Sequence, residues 1–161
     1  MDIEDLFHIQ KQLDESIIKN HGLDPEGLLA AKILALSVEL GELANETRCF
    51  KFWSRQGASS RTLILEEYVD CLHFLLSIGL DLDYSHINIQ VKKKELELIN
   101  QFQRVFTGIS KLSKTLAEED YLDLFREFLY LSQGLDFSWD EVSRGYLIKN
   151  KINYQRQAEG Y

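Results

Sequence analysis

TLILEEYVDCLHFLLSIGL, residues 62–80, predicts a helix that is apolar on two sides. Its apolar residues fall into two stripes at helical spacing, with Leu65, Val69, Leu72 and Leu76 on one side and Leu63, Phe74 and Ile78 on the other. A helix of this kind is normally buried in the core of a protein. Glu67 and Asp70 lie on the same side as Phe74, so we expect both carboxylates to be largely buried.

The rest of the chain continues the helical periodicity in both directions. Asp24 followed by Pro25 is a typical start signal for the second helix. Ser138-Trp139-Asp140-Glu141 is a capping box that opens the last helix, and Gly108 is expected to break or kink the chain. The predicted helices cover about 2–20, the segment from Pro25 to about 49, 62–80, 85–106, 118–133 and 139–157, with a loop at 57–60. We therefore expect an all-α, single-domain helical bundle spanning 1–161.

Composition narrows the possible functions. The chain has 161 residues, a net charge of −8 and 45% hydrophobic residues, the balance of a globular protein. The negative charge argues against general binding to nucleic acid, and no apolar run is long enough for a membrane span. Cys49 and Cys71 are far apart in sequence and the acidic N-terminus does not resemble a signal peptide, so we expect reduced thiols and a cytoplasmic protein.

Four acidic residues form two pairs with i, i+3 spacing, Glu39 with Glu42 and Glu67 with Asp70. A buried carboxylate must be paired, protonated or bound to a metal, and 62–80 contains neither Lys nor Arg. The acids could pair with basic residues elsewhere or lie on a solvated face. Two such pairs on adjacent core helices favour Mg²⁺, which prefers oxygen ligands and also holds substrate phosphates.

The last predicted helix carries Lys149, Asn153 and Arg156 on one face, at i, i+4 and i+7. Such a row can bind phosphate oxygens, with arginine as a two-pronged donor. It is equally compatible with a solvated basic face near a helix C-terminus.

These motifs together resemble a known family. Glu39-Leu-Gly-Glu42 and Glu67-Tyr-Val-Asp70 resemble the ExxE and ExxD metal motifs of the all-α nucleoside triphosphate pyrophosphatases, which include the MazG-type enzymes. The segment 146–161 resembles the final motif of the dimeric dUTPases, and Phe50-Lys51-Phe52-Trp53 is similar to their aromatic segment. The resemblance covers most of the chain and is weakest over 85–135.

The resemblance implies a Mg²⁺-dependent dUTP diphosphatase that acts as a homodimer, keeps uracil out of DNA and supplies dUMP. It implies two or more Mg²⁺ ions, with Glu39 also the general base for a water that attacks the α-phosphorus. The residues that it assigns are Glu39, Glu42, Glu67 and Asp70 to the metal, Lys149 and Arg156 to phosphate, and Asn153, Gln10, Asp14, Phe52 and His73 to the nucleotide or its base. Glu46 is a reserve ligand, and His73 could instead be an ordinary core histidine.

Two alternatives remain open from the sequence. One is a related pyrophosphatase with a different base preference. The other is a helical interaction protein in which the four acids are structural and no metal binds.

Overall fold

The computed structural model describes residues 1–87, 89, 91–92 and 97–160. Within these residues it contains α-helices and no β-strand, which confirms the all-α, single-domain prediction. The helices are α1 (Ile3–His21), α2 (Leu29–Thr47), α3 (Arg61–Asp81), α4 (Leu98–Thr115), α5 (Glu118–Gly134) and α6 (Trp139–Ala158), with a 3-10 turn at Pro25–Gly27. Among the described residues, no helix combines the length and the apolar character that crossing a bilayer would need.

Helix α3 occupies the centre and packs against α1, α2, α5 and α6. Two tyrosines attach it to α5: the Tyr121 hydroxyl donates to the Leu75 carbonyl at 3.0 Å, and the Tyr68 hydroxyl donates to the Phe128 carbonyl at 3.2 Å. Gly79 leaves room for this contact, because a Cβ built there would lie 2.2 Å from the Tyr121 hydroxyl oxygen.

The second apolar side of α3 is less covered than the sequence predicts. Ile78 is fully buried, but Phe74 is partly exposed and Leu63 is 37% exposed. Glu67 and Asp70 on this side are therefore partly rather than largely buried. For Asp70 and Phe74 the reason is that they line a cavity instead of packing against a neighbour.

Two helix boundaries differ from the prediction. Asp24 caps the short 3-10 turn, accepting from the Glu26 N–H at 3.1 Å, and α2 begins only at Leu29. The fourth helix was predicted at 85–106 but runs from Leu98 to Thr115. Residues 85–87, 89, 91–92 and 97 are not helical, and the remainder of that predicted start lies outside the described residues.

Gly108 does not break a helix. It lies inside α4, where it allows close packing against α5, since a Cβ at this position would lie 3.0 Å from Leu124 Cδ1. The predicted capping box at the start of α6 is confirmed: Glu141 N–H donates to Ser138 Oγ at 3.3 Å, and Ser138 N–H donates to Glu141 Oε2 at 2.9 Å.

Candidate active site

A cavity of about 440 Å³ lies between α1, α2, α3 and α6. Eight of the residues singled out from the sequence line it: Gln10, Asp14, Glu39, Asp70, His73, Lys149, Asn153 and Arg156. On α1, α3 and α6 these residues recur every three or four positions, so the helical repeat turns them toward one space, and α2 contributes Glu39. Glu42, Glu67 and Phe52 are not among its lining residues.

An acidic cluster forms where α2 and α3 pass each other. One carboxylate oxygen from each of Glu39, Glu67 and Asp70 lies within 4.8 Å of the other two. Burial raises the pKa of Glu39 to about 7, and the negative charges of Asp70, Glu42 and Glu67 contribute to this rise. Three facing carboxylates are the donor set that a hard divalent cation such as Mg²⁺ prefers, so the cluster fits such an ion.

Glu42 lies beside this cluster rather than within it. Its side chain is exposed, yet its charge still raises the pKa of Glu39 and of Glu67. Glu46, the reserve ligand, is partly buried one turn further along α2 and is also outside the cluster.

Lys149 on α6 is only 8% exposed and approaches the acidic cluster directly. Its Nζ lies 2.6 Å from Asp70 Oδ2 and 2.9 Å from Glu66 Oε1. The sequence left open that the acids pair with basic residues elsewhere in the chain. For Asp70 this is the case, because it is paired with Lys149. Burial still raises the pKa of Asp70, although Lys149 and the more distant Arg156 act against that rise.

A second polar cluster lies at the other end of the cavity. Gln10 Nε2 donates to Asp14 Oδ1 at 2.7 Å, and Ser77 Oγ donates to Asp14 Oδ2 at 2.5 Å. Gln10 Oε1 lies 2.8 Å from His73 Nδ1 and accepts from the Tyr146 hydroxyl at 2.7 Å. The His73 and Tyr146 rings stack with centroids 4.2 Å apart. Burial, and then the charge of Lys149, lowers the pKa of His73 to about 3, so its ring is neutral.

Sequence reasoning missed three polar residues of the cavity, Lys32, Ser77 and Gln157. Lys32 Nζ lies 2.7 Å from Asp81 Oδ1 and 3.7 Å from Asp14 Oδ2, and so links α2 to α3 and α1. Helical spacing was the available signal, because Lys32 precedes Glu39 by seven residues and Ser77 follows Asp70 by seven, two turns in each case.

Phe52 lies away from the cavity and is 93% exposed. Its ring contacts Trp53 edge-on, with centroids 5.0 Å apart, in the loop that follows α2. Its predicted contact with the base stays a prediction.

The chain was also compared with known proteins. A family model described as dUTPase matches residues 2–161, nearly the whole chain. No individual curated protein is a significant match. The family is generally metal-dependent, in keeping with the acidic cluster between α2 and α3. The chain belongs to the dUTPase family and is a nucleotide pyrophosphohydrolase, a dUTP diphosphatase.

Proposed function

We propose that the chain hydrolyses dUTP to dUMP and pyrophosphate with Mg²⁺, and that the nucleotide lies lengthwise in the cavity between α1, α2, α3 and α6. The observation that carries this proposal is that one cavity has two different polar ends. One end has Glu39, Asp70 and Lys149. The other end has Gln10, Asp14 and His73.

The separation of the two ends suits a nucleotide. From Glu39 to Lys32 along α2, and from Asp70 to Ser77 along α3, there are seven residues, or about 10 Å of helix. The Lys32–Asp81 ion pair at 2.7 Å keeps these two helices in register at the far end. The base end begins at His73, one helical turn from Asp70, and extends to Asp14, which accepts from Ser77. A base that fills this end would leave its phosphates beside Glu39 and Asp70.

At the phosphate end, Glu39, Glu67 and Asp70, with Glu42 at the margin, would hold Mg²⁺. The ion, when bound, neutralises phosphate charge and favours ionisation of water. Lys149 and Arg156 on α6 would bind the phosphate oxygens. Asn153, on the same face of α6, would contact the nucleotide. Binding requires Lys149 to exchange part of its contact with Asp70 for phosphate.

In the chemical step a water molecule attacks the α-phosphorus, and the bond from that phosphorus to the pyrophosphate oxygen breaks. Glu39 would accept the proton of the water as general base.

At the base end, Gln10, Asp14 and His73 would select uracil, with Phe52 as a further contact from the loop after α2. We also propose that the chain acts as a homodimer in the cytoplasm, where it keeps uracil out of DNA and supplies dUMP.

The test is pyrophosphate release from dUTP, dCTP, dTTP and UTP, with Mg²⁺ or with EDTA. Glu67→Gln and Glu66→Gln form a matched pair, since they are neighbours on α3 and only Glu67 belongs to the acidic cluster. We expect Mg²⁺-dependent turnover of dUTP, a loss of about 10³-fold in Glu67→Gln, and a change of a few-fold at most in Glu66→Gln.

Three results would count against parts of the proposal. Preferred turnover of another nucleotide would overturn the assignment to uracil. Full activity in EDTA would overturn the metal site. Equal losses in the two glutamine variants would show that the acidic cluster has no special role.

A further inference from the structure

Lys149 is held by two carboxylates of α3 at the same time. Its Nζ lies 2.6 Å from Asp70 Oδ2 and 2.9 Å from Glu66 Oε1, and these two acids are neighbours at i, i+4 on the helix. An ammonium group has three hydrogens, so one lysine can donate to both oxygens together. The two contacts are separate hydrogen bonds, and one can break while the other stays.

The two carboxylates differ in their surroundings. The Asp70 side chain is 16% exposed, and Asp70 belongs to the acidic cluster with Glu39 and Glu67. The Glu66 side chain is 48% exposed and lies outside that cluster. A cation in the cluster would therefore compete with Lys149 for Asp70, and it would leave the hydrogen bond from Lys149 to Glu66 in place.

The loss of Asp70 alone would be unfavourable for Lys149. Its side chain is buried, and a buried ammonium group without an acidic partner is costly. A divalent cation bound beside it would add repulsion between like charges. Among the described residues, Asp70 and Glu66 are the acids that form ion pairs with Lys149. Glu66 is therefore the carboxylate that can hold the ammonium group once Asp70 binds a metal.

We propose that Glu66 receives Lys149 when Mg²⁺ binds, so that the ammonium group exchanges Asp70 for Glu66. This inference rests on the proposed function and adds Glu66 to it as a positioning residue. Glu66 would keep Lys149 beside the cluster in an ordered position. Because an ion pair with a half-exposed carboxylate is weak, an arriving phosphate can then take Lys149 from Glu66. Glu66 itself contacts neither the metal nor the nucleotide.

The test is calorimetric titration with Mg²⁺, without nucleotide, of the wild type, Glu66→Gln, Lys149→Met and the double variant. In the presence of Lys149, we expect Glu66→Gln to weaken Mg²⁺ binding about 3- to 10-fold, because the displaced ammonium group then has no carboxylate partner. In the Lys149→Met background, the same change should weaken binding about 2-fold at most, since only a nearby, screened charge is lost.

The direction of the effect distinguishes two roles of Glu66. If Glu66 instead fixed Lys149 on Asp70, Glu66→Gln would make Mg²⁺ bind more tightly in the presence of Lys149, and this result would overturn the inference. Equal weakening with and without Lys149 would also overturn it, because the loss of one negative charge would explain both values.

A crystal structure of the wild type with Mg²⁺ and without nucleotide tests the exchange directly. Lys149 Nζ should lie within hydrogen-bond distance of Glu66 and beyond that distance from Asp70. An ammonium group that stays on Asp70, or that turns to solvent, would overturn the inference.

These outcomes are distinct from a failure of the proposed function. Binding of Mg²⁺ without coupling between Glu66 and Lys149 would overturn the exchange alone and leave the metal site in place. An absence of Mg²⁺ binding together with an absence of dUTP turnover would overturn both. The exchange changes the Mg²⁺ concentration that the enzyme needs and precedes the chemical step, so Glu66→Gln remains a control for Glu67→Gln at saturating Mg²⁺.

Discussion

Lys149 Nζ lies 2.6 Å from Asp70 Oδ2, so a cation expected to bind phosphate is paired with an acid expected to bind metal. Lys149 is buried, and it reaches Asp70 from α6, which packs against α3. A lysine in this position partly neutralises the cluster before any ion binds, and it competes with a cation for Asp70.

Lys149→Met should therefore change two properties in opposite directions. Without nucleotide, Mg²⁺ should bind several-fold more tightly, because the competing ammonium is gone. The kcat/KM for dUTP should fall about 10²-fold, because a phosphate contact is lost. Calorimetric Mg²⁺ titration and pyrophosphate release measure the two effects. Lys151→Met, an exposed lysine on the same helix, is the control. Weaker Mg²⁺ binding in Lys149→Met would contradict the competition.

The crowded acids should make the metal-free protein sensitive to pH. The pKa of Glu39 is about 7 in the folded chain, above its ordinary value of 4.5. A carboxylate whose folded pKa is raised binds more protons in the folded state, so stability decreases as the pH rises from 4.5 through 7. In EDTA, Glu39→Gln should therefore be more stable than the wild type at pH 8, and this advantage should disappear near pH 5.

Urea unfolding in EDTA at pH 5 and pH 8 measures that difference. Glu15→Gln, on the exposed side of α1, controls for the loss of one negative charge. An advantage of Glu39→Gln that is equal at both pH values would contradict the electrostatic cause. Added Mg²⁺ should stabilise the wild type more than the variant.

Two glycines within helices should respond in opposite ways to alanine. At Gly79 a Cβ would lie 2.2 Å from the hydroxyl oxygen and 2.7 Å from Cζ of Tyr121. The Tyr121 side chain is fully buried and cannot withdraw easily. Gly79→Ala should lower the free energy of unfolding by about 1–3 kcal/mol. A Cβ at Gly41 would meet no atom within 4 Å among the described residues beyond the adjacent backbone of α2, and Gly41→Ala should raise the free energy of unfolding by about 0.5–1 kcal/mol. Urea unfolding of both variants tests this, and a neutral Gly79→Ala would show that Tyr121 can move.

The capping box of α6 should contribute to acid sensitivity. Hydrogen bonds from Ser138, and then from Arg61, lower the pKa of Glu141 to about 2. Because the folded pKa is below the ordinary 4.5, this contribution is complete above pH 4.5 and is lost as the pH falls toward 2. Glu141→Gln keeps a capping side chain but removes the charge, so it should destabilise the protein at pH 7 more than at pH 3. Thermal unfolding at the two pH values measures this, and an equal loss at both would point to geometry instead of charge.

Local signals in the sequence predicted much of the helical structure. The Ser138–Glu141 capping box placed the start of α6 correctly, and the periodic apolar residues of 118–133 predicted α5 within a residue. The errors arose where one local signal is compatible with two structures. Gly108 allows α4 to approach Leu124, and Asp24 caps a short turn that precedes α2.

The sequence by itself determined the helical bundle, the family and the faces on which the candidate site residues lie, because helical repeat and residue spacing are properties of one helix at a time. Only the tertiary structure decided which faces meet. It paired Lys149 with Asp70, excluded Glu42 from the tight acidic cluster, and buried His73 Nε2 without a hydrogen-bond partner among the described residues. These relationships join residues on different helices, and they depend on how α1, α2, α3 and α6 pack around shared space, which no spacing along the chain records.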